Sequence, residues 1–94
     1  MMGFKLSFRL HALKSMFERS ISVDEVRDVV DNGEVIKEYA DDQPYLSRLI
    51  LGWIEKRPLH IVAADNDADE ETIIITAYEP NPTVWEDDFK RKRK

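Results

Sequence analysis

SRLILGWI (47–54), EKRP (55–58), LHIVAA (59–64) and ETIIITAY (71–78) decide the fold. Leu49, Leu51 and Trp53 alternate with Arg48, Ile50, Gly52 and Ile54. A period of two is the signature of a strand, because successive side chains leave opposite faces of the backbone. Three such runs, rich in β-branched residues and joined by short polar connections, predict antiparallel neighbours. EVIKEY (34–39), followed by a turn at Asp41–Pro44, adds a fourth strand to this meander.

Working outward to the N-terminus, Phe4, Leu6 and Phe8 alternate with Lys5 and Ser7 and predict a further strand. From Leu10 the period changes. Leu10, Leu13, Met16 and Phe17 fall on one helical stripe and are expected to face the core, with His11, Ser15, Glu18 and Arg19 opposite. A second helix starts at Ser22, with Glu25 three residues on completing a capping box and Ile21 and Val26 in the positions of a hydrophobic staple. Val23, Val26, Val29 and Val30 form its apolar side. Asn32-Gly33 closes it, Gly33 suiting a left-handed position after the last turn. The short Arg19–Ser20–Ile21 link makes the helices a hairpin. At the other end, Asn81 and Pro82 are expected to begin a C-terminal helix whose packing face holds Trp85 and Phe89.

Ninety-four residues make a single domain with a thin core. Without cysteine there are no disulfides and no thiolate metal sites, and the chain suits a reducing cytoplasm. No stretch has the length of a signal peptide or a membrane span, so no membrane association is expected. The net charge of -5 is uneven: Lys90–Lys94 carry five positive charges, which leaves ten net negative charges on the rest. An acidic body repels phosphate and the tail attracts it. The tail is expected to fray.

Candidate chemistry is sparse. Asp65, Asp67 and Asp69 alternate like calcium-loop ligands, but Glu70 stands where glycine is needed and Thr76 where a bidentate glutamate belongs. A solvated hairpin loop is the better reading. His11 and His60 lack metal-ligand spacing, and no phosphate loop or nucleophile elbow occurs, so neither metal nor cofactor is expected. Thr76 and Tyr78 share a strand face with Ile74. His60 points away from Leu59 and Ile61, and hairpin register decides whether it meets Tyr78. A hydrogen-bonded core histidine and a site histidine both remain open.

HALKSMFERSISVDEVRDVVDNGEVIKEY (11–39), PYLSRLILGW (44–53), RPLHIVAA (57–64) and TIIITAYEPNPTVWEDDF (72–89) together resemble the family catalogued as domain of unknown function 4258. The resemblance runs from about Leu6 to Phe89. Its markers are the HA…ER-I-S start, the RPLH strand and the T-x-Y-x-P-x-x-x-x-W end. The family is grouped with the RelE-like and BrnT-like toxin superfamily. That implies an α+β fold with an N-terminal strand, a helical hairpin and a curved antiparallel sheet. It also implies metal-free cleavage of RNA and a small DNA-binding or zinc-finger antitoxin as partner. Such cleavage needs a base for the ribose 2′-hydroxyl, an acid for the leaving oxygen and cations for the phosphorane. On this implication His11 and His60 move protons, Arg19 holds the phosphate and Tyr78 orients or protonates. Lys90, Arg91, Lys92 and Arg93 hold the RNA backbone. The rival reading is a non-catalytic interaction module with an acidic surface, its histidines and Arg19 structural. A homodimer is compatible with either.

Overall fold

The computed structural model describes residues 4–40 and 45–94, so the turn expected at Asp41–Pro44 lies outside the described residues. In chain order the elements are β1 (Lys5–Phe8), α1 (Leu10–Glu18), α2 (Val23–Asn32), β2 (Glu34–Tyr39), β3 (Ser47–Ile54), β4 (Arg57–Asn66) and β5 (Glu71–Tyr78). A 3-10 turn, Asp67–Asp69, joins β4 to β5. The strands form one sheet in the order β1-β5-β4-β3-β2. Strands β2 to β5 are the antiparallel meander that their short connections require. β1 lies parallel to β5 at one edge, so the helical hairpin carries the chain from that edge to the other.

Both helices pack on one face of the sheet, α1 against β5 and α2 against β3 and β4. Ala12, Met16, Ile21, Val26 and Val29 meet Ile50, Leu59, Ile61, Ala63, Ile74 and Ala77 there. The capping box forms: Ser22 Oγ accepts from the Glu25 N–H at 3.1 Å, and Glu25 Oε1 accepts from the Ser22 N–H at 2.9 Å. The link is a left-handed closure. Ser20 has φ 56, and the Ile21 N–H reaches back to the Met16 carbonyl at 2.8 Å. The Arg57 guanidinium donates to the Arg19 and Ser20 carbonyls, tying the start of β4 to this link.

The structure corrects several details. α1 is rotated from its expected register. Ala12 and Met16 are buried, whereas Leu10 and Phe17 are 82% and 88% exposed. The Arg9 N–H bonds the Ile74 carbonyl, which fixes the helix start against β5. The small Ala12 then faces the sheet and admits close packing. Gly33 is extended (φ -77, ψ 179), not left-handed. Glycine is needed for space: an added Cβ would lie 2.5 Å from the Val29 carbonyl oxygen and 2.7 Å from that of Leu51. The β3–β4 turn is only Glu55-Lys56, with Glu55 at φ 59, so β4 begins at Arg57. In β5 the register shifts opposite Val62/Ala63, leaving Ile75 as an extra residue. Ile74 therefore joins the helix-side core, and only Thr76 and Tyr78 share the other face.

No C-terminal helix forms among the described residues. Asn81 does start a turn: its Oδ1 accepts from the Thr83 N–H at 2.8 Å, and its carbonyl accepts from Val84 and Trp85. The chain then folds back on itself. Trp85 bridges Lys92, and the Arg93 N–H bonds the Val84 carbonyl at 2.8 Å. Asp88 accepts from the Lys90 N–H inside this reversal, where Phe89 takes φ 57. Tertiary contacts outweigh the local helix signal, because Trp85 and Phe89 each find a separate partner on the sheet. Lys92 and Arg93 lie within this fold-back.

Candidate functional site

The helix-free face of the sheet holds the one polar constellation that the fold assembles from the expected residues. Alternation puts Leu59 and Ile61 under the helices and His60 on the reverse side. There the register sets His60 directly opposite Tyr78. The segment after Tyr78 crosses above them. The His60 ring lies edge-on to Trp85 at 4.6 Å and to Tyr78 at 5.3 Å, and Phe89 stands edge-on to Trp53 at 5.8 Å. His60 has 0% solvent exposure.

The hydrogen bonds define its protonation. His60 Nε2 is 2.8 Å from the Phe89 carbonyl oxygen, which can only accept, so Nε2 carries the proton. In the neutral ring Nδ1 then accepts from the Tyr78 hydroxyl at 3.2 Å. Burial holds the His60 pKa below its ordinary value, opposed in part by the Phe89 hydrogen bond. Burial also pushes the Tyr78 phenol upward, with Tyr39 adding to the shift. A neutral histidine whose one lone pair already takes a phenol proton, with no solvent contact, has no free site for a 2′-hydroxyl proton.

This burial has a pH consequence. An unfolded histidine takes a proton near pH 6.5, while folded His60 resists it until a lower pH. Stability is therefore full above about pH 6.5 and falls on acidification through the window down to the depressed folded value. The slope is at most about 1.4 kcal/mol per pH unit. Asp88 is held below the usual carboxylate range, chiefly by the hydrogen bond from the Lys90 N–H. Urea midpoints at about pH 7.5 and 5.5 should show the loss, and His60→Gln should remove most of the difference. A midpoint that stays level or rises on acidification contradicts the buried neutral assignment.

His11 and Arg19 are not part of this constellation. Both are exposed, His11 on α1 and Arg19 just past its end, across the sheet from His60. The Arg19 carbonyl serves Arg57. The four residues expected to converge are thus divided, two per layer. The basic tail is largely engaged. Lys90 pairs with Glu34 at 3.0 Å, Arg91 with Asp88 at 3.2 Å and Arg93 with Asp87 at 3.0 Å, while Lys92 lies 5.8 Å from the Trp85 ring centre. Such surface pairs are each weak, but together they hold the cations against the domain's own acids.

An open groove of about 540 Å³ lies at the far end of β2 and β3, among Tyr39, Tyr45, Leu46, Arg48, Asp65 and Asp67. Its cation is neutralised: Arg48 bonds Asp65 at 3.0 Å, and Asp65 also accepts from Thr72. Among the described residues no group of three His, Asp or Glu is placed to hold a metal ion, and no helix is long and apolar enough to cross a membrane.

The sequence reading missed the outer face of α1. Leu10, Leu13 and Phe17, at 82%, 43% and 88% exposure, form a continuous apolar seam in solvent. Ala12 and Met16 were the available signal, since their spacing of four defines a second, narrower stripe that packs more closely.

These features define a small α+β domain with a helical hairpin on one face of its sheet and, on the other, a buried histidine bonded to a half-buried tyrosine. The chain belongs to the family DUF4258, a domain of unknown function, whose model matches residues 8–79. No curated protein and no solved structure matches it.

Proposed function

We propose that the domain is a non-catalytic protein-interaction module that binds its partner through the outer face of α1. The observation that carries this reading is the exposed seam of Leu10, Leu13 and Phe17. Isolated exposed apolar residues are ordinary, but a contiguous stripe on one helix is a feature of interaction sites. Burying Leu10 or Phe17 against a partner would contribute about 1.5–3 kcal/mol each. Metal-free RNA cleavage draws no comparable support, because its proton carriers would have to work from opposite layers and one of them has no exposure. The module reading shifts in one respect: the binding face is apolar and basic rather than acidic.

The test has two arms. The double variant Leu10→Gln/Phe17→Gln should keep its unfolding free energy, measured in urea, within about 0.5 kcal/mol of the parent, as surface substitutions do. A loss above about 2 kcal/mol would mean that the seam serves the fold. Single-stranded RNA incubated with an equimolar amount of the domain should stay intact. Cleavage that co-purifies with the protein and disappears in Tyr78→Phe would restore the nuclease.

A further inference from the structure

The seam has a charge pattern as well as an apolar one. Leu10, Leu13 and Phe17 are spaced three and four apart, the a and d positions of a heptad. In that frame Arg9 and Lys14 occupy the flanking g and e positions, and both are exposed. Lys5, on β1, and Arg19, just past the end of α1, are exposed as well and lie outside the seam. Residues 1–20 carry these four cations against the single Glu18, in a chain of net charge -5. None of the four has a carboxylate partner among the described residues. Lys90, Arg91 and Arg93, by contrast, are all paired with acids.

Resting on the module reading, we infer that the occupant of this face is an acidic amphipathic helix of a different protein, with apolar residues at its a and d positions and carboxylates at e and g. A second copy of the chain fits poorly. In a parallel pair, Arg9 at g faces Lys14 at e of the copy; in an antiparallel pair each meets its own kind. Either orientation sets cation against cation. The seam is also short. Nine helical residues span roughly 13 Å, and three side chains cover less than the approximately 800 Å² per partner of a standard interface. The complex is therefore of modest affinity, and its electrostatic part is salt-sensitive.

The probe is a synthetic three-heptad helical peptide with Leu at a and d and Glu at e and g, beside its twin with Lys at e and g. Fluorescence anisotropy follows each peptide against the full chain. The acidic peptide should bind the parent at least about tenfold more tightly than the basic one, and less tightly as salt rises. Leu10→Gln/Phe17→Gln should weaken it at least about tenfold, with circular dichroism unchanged. Arg9→Glu/Lys14→Glu should reverse the peptide preference. If that charge reversal fails to change preference while the Gln variant still abolishes binding, the docking face stands and the acidic partner falls. If the Gln variant binds like the parent, the module reading itself falls. Sedimentation showing a dimer that the Gln variant disrupts would assign the face to a second copy. A short RNA that displaces the acidic peptide at equal concentration would assign it to nucleic acid. Either result overturns the inference.

Discussion

His60→Ala should lower the unfolding free energy by about 3–5 kcal/mol, the range for truncating a large buried ring. A domain of this size has about 5–15 kcal/mol in total, so the variant should sit near the edge of folding at 25 °C. Two effects combine. A side chain with no solvent exposure leaves a cavity between the sheet and the segment above it. The Phe89 carbonyl and the Tyr78 hydroxyl also lose their partner, at about 1–3 kcal/mol for a buried polar group left unpaired. The loss should spread along the C-terminal segment, because Trp85 packs on the imidazole and Phe89 bonds it. Tryptophan emission should shift to the red as Trp85 is released. His60→Phe separates the two effects: it restores volume but not the hydrogen bonds, and should recover part of the loss. A loss under about 1 kcal/mol for His60→Ala would show that this histidine does not anchor the segment.

Gly33→Ala should cost about 3 kcal/mol, at the upper end for overpacking. The φ of -77 is open to alanine, so no backbone penalty applies. The obstacle is what surrounds the new methyl group: two carbonyl oxygens at 2.5 and 2.7 Å, and Ile50 Cγ2 at 2.8 Å. Neither oxygen can retreat freely. That of Val29 accepts the Gly33 N–H at 2.7 Å, and that of Leu51 lies where β3 pairs with Glu34 of β2. The junction between α2 and β2 must therefore move, and the β2 edge moves with it. Gly52→Ala is the comparison. The three atoms nearest its methyl group all belong to the Val29 side chain, at 2.5–3.0 Å, with no backbone oxygen among them, and a shift of α2 relieves them. Urea midpoints with unchanged slopes should rank Gly33→Ala as the more damaging. Equal midpoints would show that the carbonyl contacts yield more easily than the geometry implies.

Where the structure agrees with the sequence reading, the signal was local. Ser22 and Glu25 are three residues apart, and the capping box they form needs nothing beyond one helical turn. β3 and β5 span Ser47–Ile54 and Glu71–Tyr78, as the alternation required. Where the two differ, a distant contact decided. Leu10, Leu13 and Phe17 make as good a stripe as Ala12 and Met16 by apolar content. The tie was broken by the anchoring of Arg9 on β5 and by the close approach that alanine allows. Ile75 displaced Ile74 to the other face through one extra residue, which no periodicity signals in advance.

The candidate site divides the same way. His60 and Tyr78 were legible as residues, and their alternation placed each on a face, but only strand register brought them together. His11 and Arg19 belonged to the same resemblance, and the helix layer lies across the sheet from His60. The sequence alone determined the strand, the helical hairpin, the meander and the family, because each is written in neighbouring residues or in a motif order. Tertiary structure alone decided which face of α1 meets water, how the C-terminal segment folds back and whether His60 is open. Those outcomes turn on competition between surfaces far apart in the chain, where burial of Trp85, Phe89 and Ala12 outweighs the weaker preferences of single turns.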